Sequence, residues 1–315
     1  MDEKQEILQT YEDMERAGFM LHLSGSISRR TQDDSFYFAG NEMRGTPLDV
    51  NAIRKVRIKR PEGRLSIHAM IYRNREDIGA IALTRQCYAS ALGVIGRDTL
   101  PAVNEAGERV KIRIAPFTIP GSDAQRSHIY RIVGKDASFL VTANEGVYIL
   151  GESCEDLLTK ARMLEGFAAS YLMELCSTDV AFGVVHGFDS IKTEGGIIYS
   201  ERDTPARVKL IHERIYADNP RARAVVHNVS EAAKTVSRLG IQPDLIYDDM
   251  VGLSTLQRTL FGYDDGVYCF GNDPEDAGFV TDSAERALVA QIAAVRSGSL
   301  YSISKRDARR MKRMV

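Results

Sequence analysis

The sequence of 315 residues lacks several features that would place a protein in a broad class. No apolar run approaches the roughly 18 uncharged residues of a membrane-spanning helix, so no transmembrane segment is predicted. The four cysteines are scattered and form no CxxC pair, which argues against a zinc ribbon and favours reduced thiols. The first residues, MDEKQE, are acidic and polar where a secretory signal would be basic and then apolar. A soluble, cytoplasmic protein is therefore expected.

Charge and short motifs exclude further classes. The formal net charge is −2 at pH 7, so neither nucleic acid nor a membrane surface is predicted as a partner. The basic residues of segment 305–313 form one concentrated positive stretch, and such blocks are usually solvated helical tails. The sequence contains no Ser-His-Asp signature, no Rossmann fingerprint and no nucleotide-binding loop.

Helical and strand patterns alternate along the chain, which predicts a layered α/β fold. The chain is long enough for one large or two medium domains. The predicted helices are 3–17, 65–73, 85–95, 122–133, 153–175 and 282–296. The predicted strands are 21–28, 35–40, 53–58, 78–83, 110–115, 138–142, 146–150, 184–191 and 196–200.

An internal repeat is the most informative pattern in the sequence. The motif Ile-His-x-x-Ile-Tyr occurs at 67–72 and again at 211–216, each followed by a short apolar strand. The motif Gly-Val-Tyr-x-x-Gly occurs at 146–151 and again at 266–271, each followed by a long helix. Matches in the same order predict two tandem copies of one domain, at 1–176 and 177–315. The second pair of motifs is more closely spaced, so the second copy has lost about a strand and a helix.

Three segments of the first copy resemble the class II aldolase/adducin family, which includes fuculose-phosphate aldolase and ribulose-phosphate 4-epimerase. Residues 23–28, LSGSIS, are similar to the family's TSGNxS, and Phe38-Ala39-Gly40 stands at its phosphate loop. The segment 64–92 follows the family's helix, strand and histidine-bearing stretch, and Ala143-Asn144-Glu145-Gly146 stands at its His-His-Gly. The likeness covers residues 3–176, and in the second copy about 205–296.

The resemblance implies three histidines that hold a divalent metal, usually zinc, which acts as a Lewis acid in carbon–carbon cleavage. At the family's His-x-His the first copy has Leu83-Thr84-Arg85, and at the third histidine it has Asn144 or Glu145. Arg64 stands where the resemblance places the acid/base glutamate. Leucine has no lone pair and arginine is a fixed cation, so zinc-dependent aldol chemistry is not expected in this copy.

The replacements in the first copy allow two interpretations. Arg64, Arg85 and Glu145 could form an internal ion-pair network that fills a vacated site. Alternatively, the arginines could bind a phosphate or carboxylate through bidentate hydrogen bonds. The candidate ligand-binding residues are Ser24, Gly25, Ser26, Gly40, Arg64, Arg85, Asn144 and Glu145.

The second copy retains one histidine of the resemblance. His227 matches the first histidine of His-x-His, Val229 replaces the second, and Asp264-Asp265 replaces His-His. A mixed site of His227, Asp264 and Asp265 could hold a harder divalent metal, with His212 or His186 as a further ligand if the fold brings one near. A surviving histidine with a satisfied hydrogen bond is the alternative, and no other cofactor is expected.

The combined prediction is a diverged, aldolase-like protein that binds a small anionic metabolite, sugar-phosphate-like or carboxylate-like, without the usual zinc site. It could be non-catalytic, as the head domain of adducin resembles the family without its metal site. The alternative is an active lyase or epimerase with a composite site formed by both copies. The resemblance implies a cyclic tetramer, which a tandem chain would reproduce as a homodimer.

Overall fold

The computed structural model describes residues 2–20, 25–40, 48–59, 65–96, 101–103, 109–134, 136–176 and 182–313. The chain divides into two compact units. Unit 1 comprises Met1–Leu175 with Ser299–Tyr301, and unit 2 comprises Cys176–Gly298 with Ser302–Val315. Within the described residues, no helix is long and apolar enough to cross a membrane.

Unit 1 is built on a mixed seven-stranded sheet in the order β3-β2-β1-β4-β9-β8-β7. All neighbouring pairs are antiparallel except β7 and β8, and β5 pairs with β6 in a separate hairpin. Its helices are α1 (Glu3–Arg16), α2 (Leu65–Asn74), α3 (Cys87–Val94), α4 (Asp123–Ile132) and α5 (Cys154–Cys176). Its strands are β1 (Ser26–Arg30), β2 (Ser35–Gly40), β3 (Arg54–Arg57), β4 (Ala80–Thr84), β5 (Pro101–Val103), β6 (Arg109–Lys111), β7 (Arg113–Ala115), β8 (Phe139–Thr142) and β9 (Gly146–Gly151).

Helices cover both faces of the unit 1 sheet. Apolar side chains of β4, β8 and β9 pack against Ile67 and Ile71 of α2 and Ile129 of α4. Helix α1 packs on β1 and β2, with Ile7, Tyr11 and Met14 buried at the spacing of one helical face. Burying each side chain of this size stabilises the fold by about 1.5–3 kcal/mol, so both faces contribute to the core.

Unit 2 is built on a five-stranded antiparallel sheet in the order β11-β10-β12-β14-β13. Helix α6 packs on one face of this sheet, and α7 and α9 pack on the opposite face. Its helices are α6 (Ala206–Asp218), α7 (Glu231–Arg238), α8 (Asp248–Leu253), α9 (Pro274–Ser297) and α10 (Lys305–Lys312). Its strands are β10 (Ser190–Thr193), β11 (Gly196–Tyr199), β12 (Ala224–Asn228), β13 (Thr259–Tyr263) and β14 (Gly266–Gly271).

The five strands of unit 2 have the same neighbours as β2, β1, β4, β9 and β8 of unit 1. The registers agree as well, because Leu83 lies opposite Tyr148 in unit 1 and His227 lies opposite Tyr268 in unit 2. Gly146 and Gly266 also match, since a Cβ at either position would lie 2.2 Å from a carbonyl oxygen of the neighbouring strand. The described part of unit 2 has no counterpart of the segment from β7 to α4, in agreement with the predicted loss of a strand and a helix.

The layered α/β prediction is confirmed, but three predicted boundaries were wrong. The predicted strand 184–191 is replaced by an isolated bridge at His186 and a strand that begins only at Ser190, with Gly187 between them. The predicted helix 282–296 begins already at Pro274, where the Asp273 side chain accepts a hydrogen bond from the Asp276 amide. The predicted strand 110–115 is two strands, since β6 pairs with β5 and β7 pairs with β8.

Candidate functional site

The described residues predicted to bind a ligand in unit 1 lie at one end of its sheet. Ser26 opens β1 and pairs with Gly40 of β2 on one side and with Leu83 of β4 on the other. Gly25 has a φ of +131°, and a Cβ there would lie 2.6 Å from the Leu83 carbonyl oxygen. Glycine is therefore needed for this close approach of two backbones. Ser24 and Arg64 lie outside the described residues.

Arg85, Asn144 and Glu145 meet at this same end of the sheet, as the sequence predicted. Nη1 of Arg85 donates a hydrogen bond to the main-chain oxygen of Glu145, and the Glu145 carboxylate accepts one from Nε2 of Gln125 on α4. Asn144 has a φ of 62° and donates from Nδ2 to the main-chain oxygen of Tyr301. Arg85, Asn144 and Glu145 are each exposed by 2% or less, so the unit's own groups surround this cluster.

The residues at the expected zinc position in unit 1 do not fit the metal. Leu83 belongs to the apolar core beneath α2, and the buried Arg85 brings a positive charge to the position of a ligand. Across all described residues, no group of three or more His, Cys, Asp or Glu side chains is placed to hold a metal ion. No chemistry through a zinc ion is therefore derived for unit 1.

A buried polar network, which was not predicted as a site, connects α2 to the sheet of unit 1. His68 shares hydrogen bonds through Nδ1 with Ser28 at 2.7 Å and through Nε2 with Ser26 at 3.1 Å. The hydroxyl of Tyr72 lies 2.8 Å from the Ser28 Oγ. Burial lowers the pKa of His68 to about 3, so the ring is neutral with both nitrogens satisfied. The only sequence signal for this network was the repeated Ile-His-x-x-Ile-Tyr motif.

Unit 2 contains the same network with one partner missing. Nδ1 of His212 lies 2.7 Å from the Ser190 Oγ, which lies 2.9 Å from the Tyr216 hydroxyl. By sequence spacing, Phe188, two residues before Ser190, matches Ser26, two residues before Ser28, although in the sheet the Gly187 amide, and not that of Phe188, bonds to the main-chain oxygen of His227. Nε2 of His212 accordingly has no hydrogen-bond partner among the described residues. His212 is fully buried, and burial lowers its pKa to about 4, with the charge of His227 acting in the same direction.

His227 faces the same side of the unit 2 sheet as His212. Its ring stacks on Tyr268 with centroids 4.1 Å apart, and the edge of Tyr268 also meets His212 at 5.5 Å. Nε2 of His227 lies 3.9 Å from Oδ2 of Asp265, which accepts a hydrogen bond from the Tyr268 hydroxyl. Within the described part of the chain, the buried Oδ1 of Asp265 has no hydrogen-bond partner and Nε2 of His227 has none with good geometry, although the Asp265 main chain lies near enough to raise the pKa of this histidine.

The electrostatic surroundings of His227 are mixed. Burial lowers the pKa of His227, the carboxylates of Asp265 and Asp189 oppose this shift, and the guanidinium of Arg207 reinforces it. Burial raises the pKa of Tyr268, and the carboxylate of Asp265 raises it further. The Asp265 side chain is 33% exposed, whereas the His227 side chain is 2% exposed. The cluster therefore has a buried base and a carboxylate that solvent can reach.

The three predicted metal ligands of unit 2 are only partly brought together. His227 and Asp265 are close, but the neighbouring Asp264 is exposed and no described contact joins it to His227. His186, a suggested further ligand, is exposed and its Nδ1 lies 2.6 Å from Asp189. His212 is the histidine that the fold brings near, since His212 and His227 both lie against the ring of Tyr268.

Cys154 is the first residue of α5, a position at which a helix can lower the pKa of a thiol. Burial raises its pKa to about 12, so the thiol stays protonated at neutral pH. The four cysteines are all buried thiols, and none of them forms a disulfide. These cysteines pack as small apolar side chains rather than as nucleophiles.

A comparison with models of known protein families gives one match. The sequence model described as "Class II Aldolase and Adducin N-terminal domain" matches residues 5–172, more than half of the chain. The chain therefore belongs to this family, which confirms the predicted resemblance.

Several solved structures are similar to part of the chain. L-fuculose-1-phosphate aldolase from Thermus thermophilus is 17% identical, with a TM-score of 0.47 over 54% of this chain and 92% of its own. An aldolase II superfamily protein from Pseudomonas syringae is 14% identical, with a TM-score of 0.47 over 69% and 91%. A sugar-phosphate aldolase from Thermotoga maritima is 16% identical, with a TM-score of 0.46 over 56% and 95%. No curated protein sequence matches the chain.

Proposed function

We propose that the chain is a diverged member of the class II aldolase and adducin family that binds a small anionic metabolite without the family's zinc chemistry. The ligand is sugar-phosphate-like or carboxylate-like, and its site lies in unit 2 around His227, Asp265 and Arg207. The observation that carries this proposal is the pair of unpartnered atoms, Nε2 of His227 and Oδ1 of Asp265, among the described residues beside an exposed arginine.

Each of these three side chains has a distinct part in the proposed site. Arg207 stands at the second position of α6, where its guanidinium is exposed and can take the charged group of the ligand. Burial lowers the pKa of His227, and because its Nδ1 accepts from the Phe188 amide, the neutral ring donates a hydrogen bond from Nε2, while the Asp265 carboxylate accepts hydroxyl protons. A buried atom without a partner costs about 1–3 kcal/mol, and a ligand oxygen would recover this cost.

Unit 1 is proposed to have a structural role and no ligand site of its own. Arg85 and Glu145 are bonded within the unit and buried, which supports the internal-network interpretation over a ligand pocket at Arg85. The shared strand order and the two matching Ser-His-Tyr networks support an origin of the units by tandem duplication. After a duplication, one copy can lose its ligand groups while the other keeps a binding function.

The proposal is tested by the binding of inorganic phosphate, measured by titration calorimetry. We expect Arg207→Ala to weaken phosphate binding at least tenfold, because a hydrogen bond to a charged group contributes about 1.5–3 kcal/mol. Arg214→Ala is the matched control, since Arg214 is exposed on the same helix and pairs only loosely with Asp218 at 3.5 Å. Equal affinities of the two variants, or no phosphate binding by the unaltered protein, would refute the proposal.

Metal content provides a second test. We expect protein purified without chelator or histidine tag to carry less than roughly a tenth of an equivalent of divalent metal, since a tight site needs several placed ligands. Plasma mass spectrometry of the purified chain measures this ratio. A stoichiometric metal that disappears in His227→Ala would restore the mixed metal site as the better explanation.

An active lyase or epimerase is the second candidate function. The observation in its favour is the 3.9 Å separation of His227 Nε2 and Asp265 Oδ2, a pair that could move a proton. The similar solved structures include an L-fuculose-1-phosphate aldolase, so L-fuculose 1-phosphate is a suitable first substrate to test. Carbon–carbon cleavage followed by NMR, and its loss in His227→Gln, would establish this activity. An unchanged substrate after prolonged incubation with the unaltered protein would exclude cleavage of this compound.

A further inference from the structure

We infer that His212 is a second ligand-contacting residue of unit 2, so that two imidazoles and one carboxylate around Tyr268 recognise a ligand with at least two hydrogen-bonding oxygen atoms. The inference rests on the proposed function, because it assumes that the His227 cluster binds a small anion. It changes the part of His212 on α6 from a possible further metal ligand to a contact with oxygen atoms of the ligand.

The first argument is the comparison with the closed network of unit 1. His68 and His212 occupy the same place in the repeated motif and bond through Nδ1 to equivalent serines at the same distance of 2.7 Å. Their rings are therefore held alike, and Nε2 of His68 shows where Nε2 of His212 points. Unit 1 satisfies that atom with Ser26 at 3.1 Å, whereas unit 2 has a phenylalanine there.

The second argument is that Nε2 of His212 points toward the end of the sheet that carries His227. Phe188 replaces the missing serine, and its main-chain amide lies 3.4 Å from Nδ1 of His227. The ring of Phe188 also stacks with that of His227 at 6.4 Å. His212 and His227 both lie against Tyr268, with the His212 ring nearly perpendicular to it and the His227 ring stacked on it. The two free imidazole nitrogens therefore border the same small region.

A third argument comes from the strand beside β10. Tyr199 lies directly opposite Ser190, as Phe38 lies directly opposite Ser28 in unit 1. Unit 2 thus has a phenol where unit 1 has a plain ring, and the buried Tyr199 hydroxyl has no partner among the described residues. The centroid of the Tyr199 ring lies 5.8 Å from that of His212. The loss of a serine hydroxyl leaves Nε2 of His212 without a partner, and the gain of the Tyr199 hydroxyl adds a second polar atom without a partner near it.

The chemistry of these atoms favours oxygen groups over a cation. Burial keeps His212 neutral at pH 7, and neutral imidazoles and a phenol can each donate or accept one hydrogen bond. Among the described residues, no set of three ligands is placed for a metal ion. Hydroxyl groups both donate and accept, so they match two imidazoles, a phenol and the acceptor Asp265 without requiring a change of protonation.

The test uses protein labelled with 15N in its histidines and two carboxylates that differ in hydroxyl content. Glycerate carries two hydroxyl groups and acetate carries none, and both supply the negative charge. We expect glycerate to shift the Nε2 resonances of His212 and His227, and acetate to leave His212 unchanged. His68 is the internal control, because both of its nitrogens are bonded within unit 1 and its signals should not move.

The variant Phe188→Ser tests the inference from the other direction, because it gives unit 2 the serine that unit 1 has at the matching sequence position, Ser26. We expect the variant to bond Nε2 of His212 internally and to weaken glycerate binding about tenfold, toward the affinity for acetate. If this variant fails to fold, Tyr199→Phe removes only a hydroxyl that unit 1 lacks, and we expect it to weaken glycerate binding severalfold while sparing acetate.

The possible failures are distinguishable. A shift of His227 without a shift of His212 would overturn the second contact and leave the proposed function intact. A His212 nitrogen that is already bonded in the ligand-free protein and ignores glycerate would indicate a buried water alone, which also overturns the inference. Binding of neither carboxylate nor phosphate by the unaltered protein would overturn the proposed function itself.

Discussion

At the scale of single residues, the two buried histidines of the repeated motif differ in one hydrogen-bond partner, the hydroxyl group of a serine. Ser26 completes the hydrogen bonding of His68, and Phe188 leaves His212 incomplete. A buried polar atom without a partner is costly, so its presence in a fold usually has a reason. In unit 2 that reason is proposed to be a ligand, because other unpartnered atoms lie close by.

The cost can be measured in unit 1. We expect Ser26→Ala to lower the free energy of unfolding by about 1–3 kcal/mol, since it leaves Nε2 of the buried His68 without a partner. Urea denaturation followed by circular dichroism measures this difference. The control is Ser35→Ala, because Ser35 is also a buried strand serine but makes only a weak bond of 3.4 Å. Equal effects of both substitutions would contradict the importance of the His68 bond.

At the scale of elements, the long helices α5 and α9 each carry a glutamate that accepts hydrogen bonds near the start of a shorter helix. In unit 1 the two oxygens of Glu165 accept hydrogen bonds from the main-chain amides of Tyr88 and Ala89 in the first turn of α3. In unit 2 Oε2 of Glu285 accepts from Asn228 and from Ser230, which caps α7. Both glutamates fix the start of a helix that packs against the sheet, but only Glu285 is fully buried.

The burial of Glu285 makes the stability of unit 2 depend on pH. Burial raises its pKa from the ordinary value of 4.5 to about 7, and the hydrogen bonds from Ser230 and Asn228 oppose the shift. The folded state therefore binds the proton more tightly than the unfolded state does. The stabilisation from this proton is complete below pH 4.5 and is lost as the pH rises through about 7.

The two glutamates should respond to amide substitution with opposite signs. We expect Glu285→Gln to raise the free energy of unfolding at pH 8 by about 1–3 kcal/mol and to change it little at pH 4.5. We expect Glu165→Gln to lower it by about 1–2 kcal/mol at both pH values, because an amide group would face a main-chain N–H donor. Thermal unfolding at the two pH values measures both effects. A destabilised Glu285→Gln at pH 8 would show that the carboxylate is not strained by burial.

The elements also show where sequence patterns were sufficient. The helix predicted at 3–17 and the strands predicted at 35–40 and 146–150 agree with α1, β2 and β9, because their apolar spacing matches the faces that become buried. Boundaries failed where a start signal was overlooked, as at Asp273, or where a run of six residues was divided between two pairings, as in β6 and β7.

At the scale of the whole molecule, the prediction concerns assembly. A family ring of four single domains can be closed by two chains that carry two domains each, so we expect a homodimer of about 70 kDa from chains of 35.0 kDa. Sedimentation velocity at micromolar concentration measures the mass. A single species near 35 kDa at all concentrations would contradict the dimer.

The sequence by itself determined the family, the alternation of strands and helices, and the loss of zinc ligands in the first copy. These properties depend on local spacing and on residue types, which are visible without coordinates. The resemblance also implied that Arg85 and Glu145 would lie close together, and the two are joined by a hydrogen bond.

Only the tertiary structure decided which polar atoms are satisfied. Hydrogen bonds such as His68 with Ser26 join residues far apart in the chain, so no local pattern reveals that His212 lacks the equivalent bond. The exposure of Asp265 and the burial of His227 likewise depend on what packs over the end of the sheet. For this reason the structure favours a candidate site at the histidines of unit 2 over one at the arginines of unit 1.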